Sequence, residues 1–152
     1  MTPFPSSTVV FGAAQDECLT ANTAYVTAPP SAEGFDFVGQ HLLASYEECA
    51  PEKLLGFSEL RAQMEKAIAL TGATLLAVSD YIFPNGGYTA LFLLAESHAS
   101  IHTYPEHNSC FIDVFTCGTN CDPAKLDEYM RSYLQPECAR AQTLPRGRAA
   151  SP

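Results

Sequence analysis

The chain has 152 residues, of which 47% are hydrophobic, so it can bury one core but is too short for two full-sized domains. Its 17 acidic residues outnumber its 8 basic residues, which gives a net charge of −9. Such a charge repels nucleic-acid phosphates, so we expect no nucleic-acid partner and favour small cationic molecules as ligands.

The same composition predicts a soluble cytoplasmic protein. Lys53 is the first basic residue, so residues 1–52 lack the basic region of a secretory signal and the arginines of a mitochondrial presequence. The six cysteines have irregular spacings, which favours reduced thiols over a disulfide framework. No apolar run approaches the roughly 18 residues that cross a bilayer, so no membrane association is expected.

The first 34 residues are rich in Pro, Ser, Thr and Ala and show no sustained periodicity. They predict a poorly ordered extension, in which the VVF at 9–11 could add an edge strand. The predicted domain spans residues 35–147, and residues 148–152 form a tail. Within the domain, FDFVGQHLLASYEEC at 35–49 is the first predicted strand.

Two amphipathic helices are predicted. The first lies between Ser58, a favourable N-cap residue, and Gly72, a residue that ends helices. Its inward positions recur at helical spacing: Leu60, Met64, Ile68 and Thr71. The second begins after Asp122 and ends before Pro136. Its inward stripe is Leu126, Met130 and Tyr133.

Four β-rich runs lie between the two helices. They are separated by turn formers and read ATLLAVSDYIF, YTALFLLAE, ASIHTYPE and CFIDVFTCG. Consecutive strands flanked by helices predict an α+β fold, a two-layer α/β sandwich with helices on one face of a largely antiparallel sheet. The other face then needs a cover, and a second copy of the chain is the simplest one, so we expect a homodimer.

The run from Leu93 to Gly118 carries more reactive side chains than a structural strand requires, because buried polar groups need partners. Taken singly, Ser97 could be a half-buried polar residue, His102 a core histidine and Cys117 a small buried hydrophobe. Two carboxylates accompany them in the sequence, Glu96 and Glu106. The cluster as a whole predicts a functional site.

Two ordinary interpretations of this cluster are weak. His98, His102, Cys117 and Cys121 could be written as a zinc set, but Cys121 lies beyond the end of the predicted strand, so we expect no metal. The chain also lacks the GxSxG turn of a hydrolase serine.

Two motifs carry a resemblance to a known family. ESHASIHTYPE at 96–106 and DVFTCG at 113–118 resemble the signature of the bacterial and archaeal S-adenosylmethionine decarboxylase proenzymes, which are pyruvoyl-dependent. The similarity covers about residues 37–147. It includes three outer segments: HLLASYEECAPEKL at 41–54 resembles the family's first strand and turn, and DPAKL at 122–126 resembles its last helix start. More weakly, ARAQTLPRG at 139–147 resembles its closing strand.

The resemblance implies that the chain cleaves itself between Glu96 and Ser97. In this family the serine hydroxyl attacks the preceding carbonyl, an N-to-O acyl shift forms an ester, and β-elimination leaves the serine as a pyruvoyl group. His102 matches the base of the elimination, a task that suits an imidazole. Thr89 matches a hydroxyl residue that assists processing.

The resemblance also implies a decarboxylase that supplies polyamine (spermidine) synthesis. The pyruvoyl group derived from Ser97 would be its covalent cofactor, forming a Schiff base with the substrate amine and accepting electrons as carbon dioxide leaves. Cys117 matches the proton donor, and Phe83 matches an aromatic that stacks on adenine. Glu106 is a candidate substrate-binding carboxylate. Phe83 would equally suit the core, and Glu106 an exposed turn.

The chain departs from the family pattern at two places. Ser45 stands where the family usually has an acidic residue, and GYTA at 87–90 replaces a G-V-S-G turn, although Thr89 keeps the hydroxyl. These changes concern the substrate more than the reaction. Arginine and ornithine, which are cationic, therefore remain candidate substrates beside S-adenosylmethionine. The sequence is also compatible with a catalytically weak regulatory homologue and with a structural zinc protein.

Overall fold

The computed structural model describes residues 35–118 and 120–147. The predicted extension at 1–34, its strand at 9–11 and the tail at 148–152 lie outside the described residues, so these domain bounds stay predictions. In chain order the described elements are β1 (Phe35–Glu47), α1 (Pro51–Leu55), α2 (Phe57–Thr71), β2 (Leu75–Ile82), β3 (Tyr88–Leu94), β4 (Ser97–Tyr104), a 3₁₀ helix (Pro105–His107), β5 (Ser109–Gly118), α3 (Ala124–Leu134) and β6 (Cys138–Gly147).

The strands form one sheet in the order β2-β3-β4-β5-β1-β6, and every neighbouring pair is antiparallel. The apolar side chains of α2 and α3 pack against one face of this sheet and form a single core. Strand β3 illustrates why: Ala90 and Phe92 are buried against the helices, whereas Leu91 and Leu93 point to the other side. The predicted α+β sandwich with helices on one face is confirmed.

Helix α2 follows the predicted pattern, because all four predicted inward residues are buried. Gly72 ends the helix with a φ of 90°, a left-handed conformation that glycine adopts without strain, and its N–H donates to the Ala69 carbonyl. The prediction that Ser58 is the N-cap is wrong. Gly56 takes that position, because the short α1 runs directly into α2 and the chain bends between them.

Helix α3 buries Leu126 and Met130 as predicted, but the third core residue is Leu134, and Tyr133 is only half-buried. A spacing of four after Met130 keeps Leu134 on the stripe that faces the sheet. Tyr46 of β1 ties this helix to the sheet, since its hydroxyl donates to Asp127 Oδ1 at 2.6 Å.

Strand β6 pairs with β1 from Glu47 opposite Cys138 to Val38 opposite Gly147. Its side chains are almost all exposed and do not alternate, which is why the sequence alone indicates this strand weakly. None of the described helices has the length and hydropathy that crossing a membrane requires. The five cysteines in the described part of the chain form no disulfide with one another.

The second face of the sheet, here called the open face, is covered by no described helix. Large apolar side chains lie exposed along its central strands: Leu43 at 37%, Leu91 at 56%, Leu93 at 54% and Phe111 at 48%. Exposed apolar side chains on an uncovered sheet face are typical of an interaction surface.

Candidate active site

The predicted cleavage site lies at the tight turn between β3 and β4. Ala95 and Glu96 form the turn, and Ser97 is the first residue of β4. The turn is held at both residues by Thr74: the Ala95 N–H donates to the Thr74 carbonyl, and the Thr74 N–H donates to Glu96 Oε2 at 2.8 Å. The Glu96–Ser97 peptide bond is therefore anchored at the end of the sheet.

Two contacts flank this peptide bond. The backbone N–H of Cys117 donates to the Glu96 carbonyl oxygen at 3.1 Å, which draws electrons from the carbonyl carbon. On the other side, Ser97 Oγ lies 3.1 Å from His98 Nδ1. Ser97 also has a φ of 157°, a value that residues with a Cβ rarely adopt.

Cys117 lies near the end of β5, where it lines a cleft of about 280 Å³ together with Cys121. Gly118 makes this close packing possible, because a Cβ there would lie 2.7 Å from Cys121 Sγ and 3.0 Å from Glu96 Cγ. Burial, with the nearby Glu96 carboxylate, raises the pKa of the Cys121 thiol above its ordinary value. The cross-strand partner of Ser97 is Thr116, whose buried hydroxyl has no hydrogen-bond partner among the described residues.

A second cluster lies at the opposite end of β4. His102 Nδ1 shares a hydrogen bond with Thr89 Oγ1. The Phe83 ring lies edge-on to the His102 ring at 5.8 Å, and the Tyr104 ring lies 4.5 Å from it. Phe83 is 38% exposed, so it is not an ordinary core phenylalanine. Glu106 is exposed in the 3₁₀ helix that follows β4 at this end.

The two clusters do not meet within one protomer. Ser97 and His102 lie five positions apart on an extended strand, which corresponds to about 16 Å. Their side chains also fall on alternate sides of the strand, since residues 99, 101 and 103 are buried against the helices and His102 lies on the open face. The structure brings Glu96, Ser97 and Cys117 together, and separately Thr89, His102 and Phe83.

The zinc interpretation does not agree with this geometry. His98 and His102 share the open face but lie four positions apart, about 13 Å along the strand, whereas zinc–nitrogen bonds are about 2 Å long. In residues 35–118 and 120–147 no group of three or more His, Cys, Asp or Glu side chains could hold a metal ion.

The family model described as S-adenosylmethionine decarboxylase matches residues 40–147. The chain belongs to the S-adenosylmethionine decarboxylase family. The S-adenosylmethionine decarboxylase proenzyme of Pyrobaculum islandicum is 40% identical over 105 residues, 68% of this chain and 84% of that protein. The proenzyme of Oceanobacillus iheyensis is 33% identical over 112 residues, 74% and 89% of the two chains.

A solved structure supports the same assignment. The crystal structure of the adenosylmethionine decarboxylase from Aquifex aeolicus has a TM-score of 0.69 and 31% identity, and the match covers 77% of this chain and 97% of that one. Both clusters of this S-adenosylmethionine decarboxylase family member lie inside the matched range. The family predicted from the two motifs is therefore confirmed.

One contact in the first cluster was missed by sequence reasoning, which treated His98 only as a possible zinc ligand. The available signal was its position directly after Ser97 in the motif. The backbone contact from Cys117 to Glu96 has no signal in the sequence, because it depends on how β5 pairs with β4.

Proposed function

We propose that the chain is a self-processing, pyruvoyl-dependent decarboxylase that acts on S-adenosylmethionine in the cytoplasm and supplies polyamine synthesis. The observation that carries this proposal is the geometry at the Glu96–Ser97 bond, whose carbonyl accepts a hydrogen bond from the Cys117 N–H. A peptide carbonyl polarised in this way, directly before a serine hydroxyl, is suited to attack by that hydroxyl.

Processing uses groups on both sides of the scissile bond. The Ser97 hydroxyl attacks the Glu96 carbonyl carbon, and the Cys117 N–H stabilises the charge that develops on the oxygen. His102 then removes the α-proton from the resulting ester, with its ring oriented by the hydrogen bond to Thr89. The elimination releases the upstream chain as a carboxylate at Glu96 and leaves a dehydroalanine at position 97. Water then hydrolyses the imine tautomer of this residue, which releases ammonia and leaves the pyruvoyl group.

The residues around Ser97 fit a pyruvoyl group there, because Ser97 begins a strand and its upstream neighbours form a turn that cleavage can release. When formed, this group supplies a carbonyl that accepts the electron pair of the carbon–carbon bond that breaks when carbon dioxide leaves. The Cys117 thiol, half-buried at the adjacent strand end, holds the proton for the substrate carbon. Phe83 offers an exposed ring to the adenine and sulfonium, and Glu106 a carboxylate.

The separation of the two clusters favours a homodimer with shared sites. In such a dimer the open faces of two protomers pack together, and the two-fold axis lies between the sheets and crosses the strands. The Ser97 end of β4 in each protomer would then lie over the His102 end of β4 in its partner. The exposed Leu91, Leu93 and Phe111 supply the apolar contact for such packing. Each site would then contain Ser97 and Cys117 from one protomer and His102 and Phe83 from the other.

Two measurements on the purified protein test this function. Mass spectrometry should find one chain that ends at Glu96 and a second that starts with a pyruvoyl group in place of Ser97. Release of carbon dioxide should then be measured with S-adenosylmethionine, arginine and ornithine. An intact chain after long incubation at neutral pH would refute self-processing, and faster release from arginine or ornithine would refute the substrate. Complete processing without turnover would indicate the regulatory homologue.

Replacement of Cys117 by alanine should separate processing from catalysis. Alanine retains the backbone N–H that contacts the Glu96 carbonyl, so cleavage should continue within a few-fold of the wild-type rate. The thiol proton is lost, so turnover should fall by about 100-fold or more, the usual contribution of a general acid. The measurements are pyruvoyl content and the rate of carbon dioxide release. Wild-type turnover at normal pyruvoyl content would mean that another residue is the acid.

Replacement of Phe83 by alanine should raise KM more than it lowers kcat, because stacking helps the ground and transition states alike. Loss of a stacking and cation–π contact of about 1.4 kcal/mol corresponds to about a tenfold rise in KM. Phe83→Leu is the matched control for packing, since it keeps an apolar side chain and removes the ring. If Phe83→Leu keeps the wild-type KM while Phe83→Ala does not, the ring serves packing and not recognition.

A further inference from the structure

His98 is an exposed histidine whose ring lies against the hydroxyl that processing uses. Its Nδ1 is 3.1 Å from Ser97 Oγ. Among the side chains that the structure describes, His98 is the one that hydrogen-bonds Ser97. His102 of the same protomer is about 16 Å along the strand and cannot take this position.

The hydrogen bond from Ser97 to His98 Nδ1 requires one tautomer of the neutral imidazole ring. For Nδ1 to accept a hydrogen bond from the serine, the ring proton must reside on Nε2. The nearest ring partners are Phe115, with a centroid distance of 5.9 Å, and His41, at 6.4 Å. Within the described ranges no carboxylate forms an ion pair with His98.

We propose that His98 is the base for the first step of processing, the N-to-O acyl shift, and that His102 acts only in the later elimination. This inference rests on the self-processing function proposed above and deepens it. It assigns one histidine to each step, because the shift needs a base at the serine oxygen and the elimination needs a base at the serine α-carbon.

Groups that the structure contains account for every bond and proton of the acyl shift. As Ser97 Oγ bonds to the Glu96 carbonyl carbon, its proton passes to His98 Nδ1, and the Cys117 N–H stabilises the charged oxygen. The bond between the Glu96 carbonyl carbon and the Ser97 nitrogen then breaks. The nitrogen receives the proton from His98, which leaves an ester, an amine and a neutral imidazole. No oxidant, reductant or further reactant is needed.

A structural role for His98 is the competing interpretation, since its ring also packs near Phe115. His98→Gln distinguishes the two roles, because the glutamine carbonyl can still accept a hydrogen bond from the serine but is not a base near neutral pH. His98→Ala removes both properties. His107→Ala is the matched control, because His107 is an exposed histidine in the 3₁₀ helix and contacts neither cluster's reacting groups.

The experiment follows the full-length chain on denaturing gels, with and without hydroxylamine near neutral pH, which splits esters. Hydroxylamine also cleaves Asn-Gly bonds under alkaline conditions, so the mass of each fragment distinguishes cleavage at Ser97 from cleavage at Asn85–Gly86. We expect His98→Gln to process at least about 100-fold more slowly than wild type and to accumulate a precursor that hydroxylamine does not split. His102→Ala should instead accumulate a precursor that hydroxylamine does split. The double variant His98→Gln with His102→Ala should behave like His98→Gln, because the shift precedes the elimination.

Three results would overturn the assignment of His98: wild-type processing by His98→Gln, a His98→Gln precursor that hydroxylamine splits at the rate of the His102→Ala precursor, or equal slowing by His107→Ala. Circular dichroism and the thermal midpoint establish that each variant is folded. If His98→Ala does not fold, the role of His98 is judged from His98→Gln alone. These outcomes differ from failure of the proposed function itself, in which the wild-type chain would remain uncleaved.

Discussion

A Ser97→Ala variant should remain one uncleaved chain and should release no carbon dioxide from S-adenosylmethionine. Alanine has no oxygen to attack the Glu96 carbonyl, so neither the ester nor the pyruvoyl group can form. The fold should persist, because Ser97 is half-buried at a strand end and its hydroxyl contacts only the exposed His98 among the described side chains. Intact mass, decarboxylase activity and thermal midpoint check these three statements.

The matched control is Ser100→Ala, on the same strand and also half-buried, whose hydroxyl donates to Asp113 Oδ2 at 3.3 Å. This variant should cleave like wild type. If Ser97→Ala still gave a chain ending at Glu96, the nucleophile would have to be another group. If both serine variants failed to cleave, a general disturbance of β4 would explain the result.

Mixed dimers of two inactive variants should recover activity. In a dimer of Ser97→Ala with His102→Ala, one site combines the intact Ser97 and Cys117 of one protomer with the intact His102 of the other. The second site carries both defects. Random mixing should therefore restore about one quarter of the wild-type sites, because half of the dimers are mixed and each has one complete site. Co-expression with two affinity tags lets the mixed dimer be isolated before its activity is measured.

The control pair is Ser97→Ala with Cys117→Ala, whose defects belong to the same cluster. Mixing these two should restore no turnover, because no site then contains both Ser97 and Cys117. Recovery by this pair, or no recovery by the first pair, would contradict the shared site. A monomer in solution that cleaves and decarboxylates normally would contradict it as well.

The fold was predictable where the local pattern matched the burial. Leu60, Met64 and Ile68 recur at helical spacing and are buried, and the alternation in YTALFLLAE matches the two faces of β3. Strand β6 was indicated only by resemblance, because its exposed residues carry no alternation and its pairing with β1 is set by backbone hydrogen bonds. Ser58 was assigned wrongly as an N-cap because α1 directly precedes α2.

By itself, the sequence determined the family and supplied the candidate reactive groups, since Glu96, Ser97, His102 and Cys117 fall within two short motifs that a local comparison can find. The tertiary structure alone decided which of them meet. Antiparallel pairing of β4 with β5 places the Cys117 N–H next to the Glu96 carbonyl. No periodic pattern in the sequence predicts this contact. The extended backbone of β4 holds Ser97 and His102 apart although they are close in sequence, because each strand residue adds about 3.3 Å.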